Sequence, residues 1–186
     1  MLDKLLTWDR ETFIYLNSLG VEKYDQFWGI ITTISTWSPL FIVFIFLLFY
    51  KETKKNGFLK LSWVIVVLLF VHALTSFTKH WVERLRPSSE NSLTDLIRIV
   101  QISEGYSFFS GHASFSFALT TIIVLFLKEK LPWVWVFYCW AFLMVISRIY
   151  VGVHYPLDLI TGSVVGTIVA YIFYLFYCKF TKRALG

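Results

Sequence analysis

The chain has 186 residues, 57% of them hydrophobic and only 16% charged, with a formal net charge of +5 and a mean hydropathy of +0.65. A soluble domain carries about 25% charged residues, and a chain of this length has too little interior to bury five long apolar helices. An ordinary soluble globule is therefore excluded, and the charge gives no support to a nucleic-acid binder, because the basic residues sit in short loops between apolar stretches.

In chain order, residues 1–22 read as an interfacial helix: Leu2, Leu5 and Leu6 form an apolar stripe, Trp8 and Tyr15 suit the headgroup layer, and charges interleave. A short soluble helix would give the same pattern. The opening MLDKLLTWDRE lacks the apolar run of a secretory signal. No Asp, Glu, Lys or Arg occurs in Phe27–Tyr50, Leu61–Thr78, Gly105–Leu127, Leu131–Ser147 or Leu159–Cys178. Crossing a bilayer takes about 17–25 apolar residues, so five spans are expected near 27–50, 59–78, 109–127, 131–148 and 156–178.

The loop KETKKNG after the first span is basic, as are Lys128, Lys130, Lys179, Lys182 and Arg183. The positive-inside rule places these on the cytoplasmic side. That gives nine Lys/Arg inside against eight outside, and nine against five once Lys79, Arg86 and Arg148 are set aside for the site. The N-terminus then lies outside and the C-terminus inside. Residues 79–108 form the one long loop, on the outer side. Within it Leu93, Leu96, Ile97 and Val100 fall at helical spacing with Ser92 as a cap, which predicts a short amphipathic helix over the membrane surface, as a cover or as a packed loop. Cys139 and Cys178 fall in apolar windows and read as small buried hydrophobes. Gly162 and Gly166 suit a close helix contact, within the chain or between copies. No repeat or linker divides the chain. The predicted fold is all-α: one membrane-embedded domain, 1–186, a polytopic bundle of about five transmembrane helices plus an N-terminal interfacial helix.

Three polar groups stand at the outer ends of the spans: Lys79 to Arg86-Pro87, Ser110-Gly111-His112, and Ser147-Arg148 with His154 and Asp158. Span counting brings them to one face. Lys79, Arg86 and Arg148 supply cationic donors, and an arginine fork matches phosphate oxygens. Ser110 and Gly111 begin a helix, where free N–H groups favour an anion. His154 and Asp158, four apart, share a helix face. Asp158 can fix one ring nitrogen of His154 and leave the other free to attack phosphorus. His112 can protonate the leaving oxygen. With Asp158 the one carboxylate in this group, neither a metal centre nor another cofactor is expected.

The pattern Lys-x6-Arg-Pro (Lys79–Pro87), Ser-Gly-His (Ser110–His112) and Ser-Arg-x5-His-x3-Asp (Ser147–Asp158) resembles the type 2 phosphatidic acid phosphatase superfamily, from about residue 24 to the C-terminus. The resemblance implies that His154 is the nucleophile, His112 the acid and Asp158 the partner of His154. It also implies that Lys79, Arg86, Ser110, Gly111 and Arg148 bind phosphate. One departure is Phe109, where the family usually has proline before Ser-Gly-His; a tuned loop is expected, since every chemically active position is present.

The expected function is hydrolysis of a lipid phosphate or diphosphate through a phosphohistidine, at the outer face of a cell inner membrane. Candidate lipids are undecaprenyl diphosphate, phosphatidylglycerol phosphate, phosphatidic acid or a lipid A phosphate. A membrane phosphotransferase with a non-water acceptor would use the same residues. A non-catalytic lipid-binding or transport protein would not need the full His112, His154 and Asp158 set. Arg84 and Arg98 read as headgroup anchors, His80 as interfacial, His72 as a neutral hydrogen-bonded histidine, and Glu83 and Glu104 as partners of nearby bases.

Overall fold

The computed structural model describes residues 1–185, with side chains through Lys182; the Arg183 side chain, counted above with the inner basic residues, lies outside the described residues. The chain is an all-helical membrane bundle. Helix α1 runs Leu2–Ser18. α2 (Asp25–Thr32) and α3 (Ser38–Leu48) are joined by a 3-10 turn and bent by 65°, and only together do they reach the length of a span. α4 covers Lys54–Val82, α5 Gly111–Leu127, α6 Phe137–Tyr150 and α7 Pro156–Leu185. Three helical segments are long and apolar enough to cross a membrane, four if the bent pair is counted as one span. α5 is an apolar helix of 17 residues, a rise of about 26 Å, at the short end for a crossing.

α5 is the axis of the bundle. Thirteen of its residues are buried, and it packs against α3, α4, α6 and α7. Its tightest partner is α7, where Gly162 and Gly166 lie against the backbone and Cβ atoms of Ser110, Ala113, Ser114 and Ala118. The small residues therefore serve a contact within the chain. By contrast α4, α6 and α7 keep rows of large apolar side chains exposed, among them Leu69, Phe142, Ile168 and Phe176, as lipid-facing helices do. Cys139 is exposed, not buried, and Cys178 is half-buried. His72 is exposed and has no hydrogen-bond partner among the described residues. At the opposite end of the bundle from the polar motifs, Glu52 in the α3–α4 turn accepts from Lys60 (2.5 Å) and Lys130 (2.6 Å).

α1 buries Asp9, Phe13 and Asn17, spaced four apart; Leu2 and Leu6 continue that same helical face toward the N-terminus and stay exposed, as do Leu5 and Trp8. Asn17 Nδ2 donates to the carbonyls of Arg98, Ile149 and Tyr150, and its Oδ1 accepts from Arg98 N at 2.7 Å. The amphipathic helix expected after Ser92 is absent. Asn91–Leu93 is a 3-10 turn and the chain continues in turns and bends. The cause is competition for backbone groups. Asn17 takes both the N–H and the carbonyl of Arg98, and Val151 O takes the N–H of Val100 and Gln101. Ser92 Oγ bonds Glu90 instead of capping.

Candidate active site

The last turn of α4 presents Lys79, and Glu83 ends the helix in the left-handed region at φ 52°. Lys79 Nζ donates to Tyr106 O at 2.6 Å. Beyond Glu83 the backbone is not helical, and Arg84 and Arg86 reach different partners. Arg86, 6% exposed, donates through Nε to the carbonyls of Glu104 and Gly105. Its Nη1 donates to Val153 O and to His154 Nε2, each at 3.2 Å. Its Nη2 has no partner among the described residues.

Because a guanidinium only donates, the contact with Arg86 makes His154 Nε2 an acceptor. The proton then sits on Nδ1, which faces Ser107 Oγ at 3.2 Å and Asp158 Oδ2 at 3.4 Å. The direct His154–Asp158 contact is longer than a good hydrogen bond. Ser107 closes the gap, accepting from His154 and donating to Asp158 Oδ2. Tyr155 N adds a donor to the same oxygen at 3.0 Å. Burial holds the His154 imidazole well below its ordinary value, down to about 3, with Asp158 pulling the other way. The ring is neutral at pH 7, and the unprotonated Nε2 turns its lone pair to Arg86.

Ser110 caps α5, its Oγ accepting from Ala113 N at 3.4 Å. Its own N–H is not free for an anion as expected: it donates to Asp158 O at 3.0 Å. The free N–H groups at this helix start are therefore those of Gly111 and His112. A Cβ on Gly111 would meet only the Thr75 methyl at 3.6 Å, so protein packing does not demand the glycine. Phe109, at the family's proline position, is buried and leaves the cap intact. His112 lies where the charges of Arg148, His154, Arg86 and Lys79 all reach it. Arg148, 3% exposed, donates through Nη1 to Thr32 Oγ1 at 2.5 Å and to Gln101 Oε1 at 3.4 Å. Its buried Nε has no partner. A buried guanidinium with an unpaired edge is a receptor for a doubly bonding oxyanion.

The structure thus gathers Lys79, Arg86, Ser110, Gly111, His112, Arg148, His154 and Asp158 at one end of the bundle. It also adds residues that the motifs did not name. Ser107 had no sequence signal. Thr32 of α2 holds Arg148. Arg84 is not a headgroup anchor: it donates to Asp158 Oδ1 at 2.8 Å and to Asp9 Oδ2 at 2.6 Å. Asp9 is therefore a second carboxylate beside the site, signalled only by the i, i+4, i+8 stripe of Asp9, Phe13 and Asn17. Arg98 likewise pairs with Asp25 at 2.8 Å, and Glu83 accepts from the Tyr106 hydroxyl.

Residues 60–182 match the PAP2 superfamily profile, and the chain belongs to that family of membrane phosphatases. A relative described as lipid A 4′-phosphatase, from Porphyromonas gingivalis, is 31% identical over 100% of this chain and 79% of its own length. The fold is similar to the crystal structure of a transmembrane PAP2-type phosphatidylglycerolphosphate phosphatase from Bacillus subtilis (TM-score 0.75, 22% identity, 95% of this chain and 87% of that one). It is also similar to LpxE of Aquifex aeolicus (TM-score 0.71, 27% identity, 88% and 93%). The chain is a multi-pass membrane enzyme that hydrolyses lipid phosphates.

Proposed function

We propose that the substrate is a phosphate monoester on a lipid A-type glycolipid, cleaved at the outer face of an inner membrane through a phosphohistidine on His154. The observation that carries the mechanism is the unprotonated Nε2 of His154: Ser107 and Asp158 face Nδ1, and the Nε2 lone pair points at the Arg86 guanidinium, which a bound phosphate would draw to its own oxygens. Nε2 attacks phosphorus and the P–O bond to the lipid breaks. His112 gives its proton to the departing oxygen. Lys79, Arg86, Arg148 and the Gly111 and His112 N–H groups bind the phosphoryl oxygens as charge shifts among them. Water then attacks phosphorus, His112 takes its proton, and the P–N bond breaks to release phosphate.

The substrate class is supported by the relative in Porphyromonas gingivalis and by an apolar groove of about 750 Å³ lined by Leu2, Leu5, Leu6, Val82, Leu85 and Phe108, with Arg84 and Tyr155 at its wall. None of the phosphate ligands lines this groove. Arg84 and Tyr155 border it, which sets it beside the Asp158–His154 pair, and its leucines suit the acyl chains of the substrate, with Arg10 and Glu90 also in its lining. The outer-face placement rests on the count of nine Lys/Arg against five. The whole chain, 1–186, is read as one catalytic domain with five crossings: the α2–α3 pair and α4 to α7. In a test with purified protein in detergent, phosphate release from lipid A is expected to exceed that from phosphatidylglycerol phosphate, phosphatidic acid and undecaprenyl diphosphate. Retained turnover in His154→Ala, or loss of turnover with EDTA, would refute the mechanism. Preference for another lipid would refute the substrate.

A further inference from the structure

A single arginine joins the His154–Asp158 pair to the N-terminal helix. Arg84 Nη1 meets Asp158 Oδ1 and its Nη2 meets Asp9 Oδ2, and both carboxylates are fully buried. Buried carboxylates persist only when paired, so each depends on the same guanidinium. Asp9 Oδ1 also accepts from Leu157 N at 2.8 Å. Asp9 therefore holds both the cation facing Asp158 and the backbone of the residue before it. The guanidinium lies 3.9 Å from the centre of the Tyr155 ring, and Tyr155 is the residue after His154. The Tyr155 hydroxyl donates to Glu90, and Glu90 pairs with Arg10 at 3.1 Å. The circuit of contacts begins and ends on α1, at Asp9 and Arg10.

Charge explains what this arrangement does. Arg84 alone would neutralise Asp158. Asp9 shares the guanidinium, so the Asp9–Arg84–Asp158 trio carries a net charge of −1. When phosphorus bonds to Nε2, the imidazole ring gains a positive charge, and the trio balances it across the Nδ1–H contact.

We propose that Asp9 and Arg84 are positioning residues for the reaction: through them α1 sets the orientation and the residual negative charge of Asp158, and so the tautomer and aim of His154. This rests on the reading of His154 as nucleophile.

The test is steady-state phosphate release from lipid A by the purified full chain, with kcat and KM separated. Asp9→Asn keeps an oxygen for the Leu157 N–H and removes the charge that Arg84 needs. It is expected to lower kcat about 10- to 100-fold, the range that outer partners of an oriented histidine carry. KM should stay within about twofold, since no substrate contact is lost, and Asp9→Glu should recover part of kcat. Asp158→Asn is expected to lower kcat by up to about 10⁴-fold. The double variant Asp9→Asn/Asp158→Asn should be no slower than Asp158→Asn alone, because Asp9 acts through Asp158. If Asp9→Asn fails to fold, Arg84→Lys gives the same comparison, keeping the charge and losing the fork. An unchanged kcat, a change confined to KM, or multiplying losses in the double variant would overturn the positioning role. An active His154→Ala would instead overturn the nucleophile reading beneath it.

Discussion

Gly162 stands one helical turn beyond Asp158, where α7 packs against the start of α5. A Cβ added there would lie 2.7 Å from Ser110 O, 3.1 Å from the Ala113 Cβ and 3.3 Å from Ser114 N. Backbone of a capped helix start has no rotamer by which to yield, so Gly162→Ala must part the two helices. Restoring an ordinary 3.4 Å contact with Ser110 O takes about 0.7 Å. The same movement would stretch the 3.0 Å bond from Ser110 N to Asp158 O past hydrogen-bonding range. It would carry the Gly111 and His112 N–H groups away from His154. A misplacement of about 1 Å costs on the order of 10²-fold in rate. Gly162→Ala should therefore lower kcat/KM about 10- to 100-fold, with about 1–3 kcal/mol of overpacking in stability. The assay is phosphate release together with a thermal melt in detergent. Gly166→Ala, one turn deeper against Ser114, should affect the melt more than the rate. Gly29→Ala, inside α2 with open space around it, should leave the rate unchanged and raise the melt slightly. A Gly162→Ala variant with kcat/KM within about twofold of the parent would refute the claim that this contact sets the register of the site.

Two further outcomes follow from the cations and the histidine. Arg148→Lys keeps the charge but removes the Nε edge that has no protein partner; kcat/KM should fall about 10²- to 10³-fold, as for loss of one oxyanion donor, and inhibition by inorganic phosphate should weaken in parallel. Equal phosphate inhibition in the two proteins would show that this edge does not face the ligand. Burial depresses His154 to about 3, so between about 6.5 and that value the unfolded chain binds a proton that the folded chain refuses. Stability is full above pH 6.5 and falls on acidification, by at most about 1.4 kcal/mol per pH unit. His154→Gln should melt with a flatter acid dependence, and identical slopes would show that the ring is not held neutral.

What the sequence revealed and what it hid divide along one physical line. The long apolar helices were readable because an uncharged run of membrane length has one reasonable use. The positions of Lys79, Arg86, Ser110, His112, Arg148, His154 and Asp158 were readable because their spacing repeats a known pattern at the ends of those spans. Which apolar helix is enclosed was not readable. α5 and α7 are alike in composition, yet α5 is buried almost throughout while α7 turns Ile168, Ile172 and Phe176 outward. Partners distant in sequence were hidden too. An arginine near a span end is a headgroup anchor unless a buried carboxylate waits for it, and the carboxylate that captures Arg84 lies 75 residues earlier. Helical spacing misled at Leu93–Val100 for the same reason, since the backbone groups that such a helix needs are taken by Asn17 and Val151. Local pattern thus names the groups proposed to bind phosphate, while the groups that contact them are set by pairings between segments remote in the chain. Ser107, Asp9, Arg84 and Thr32 belong to this second set, and each reaches the chemistry only through a residue that the motifs had already marked.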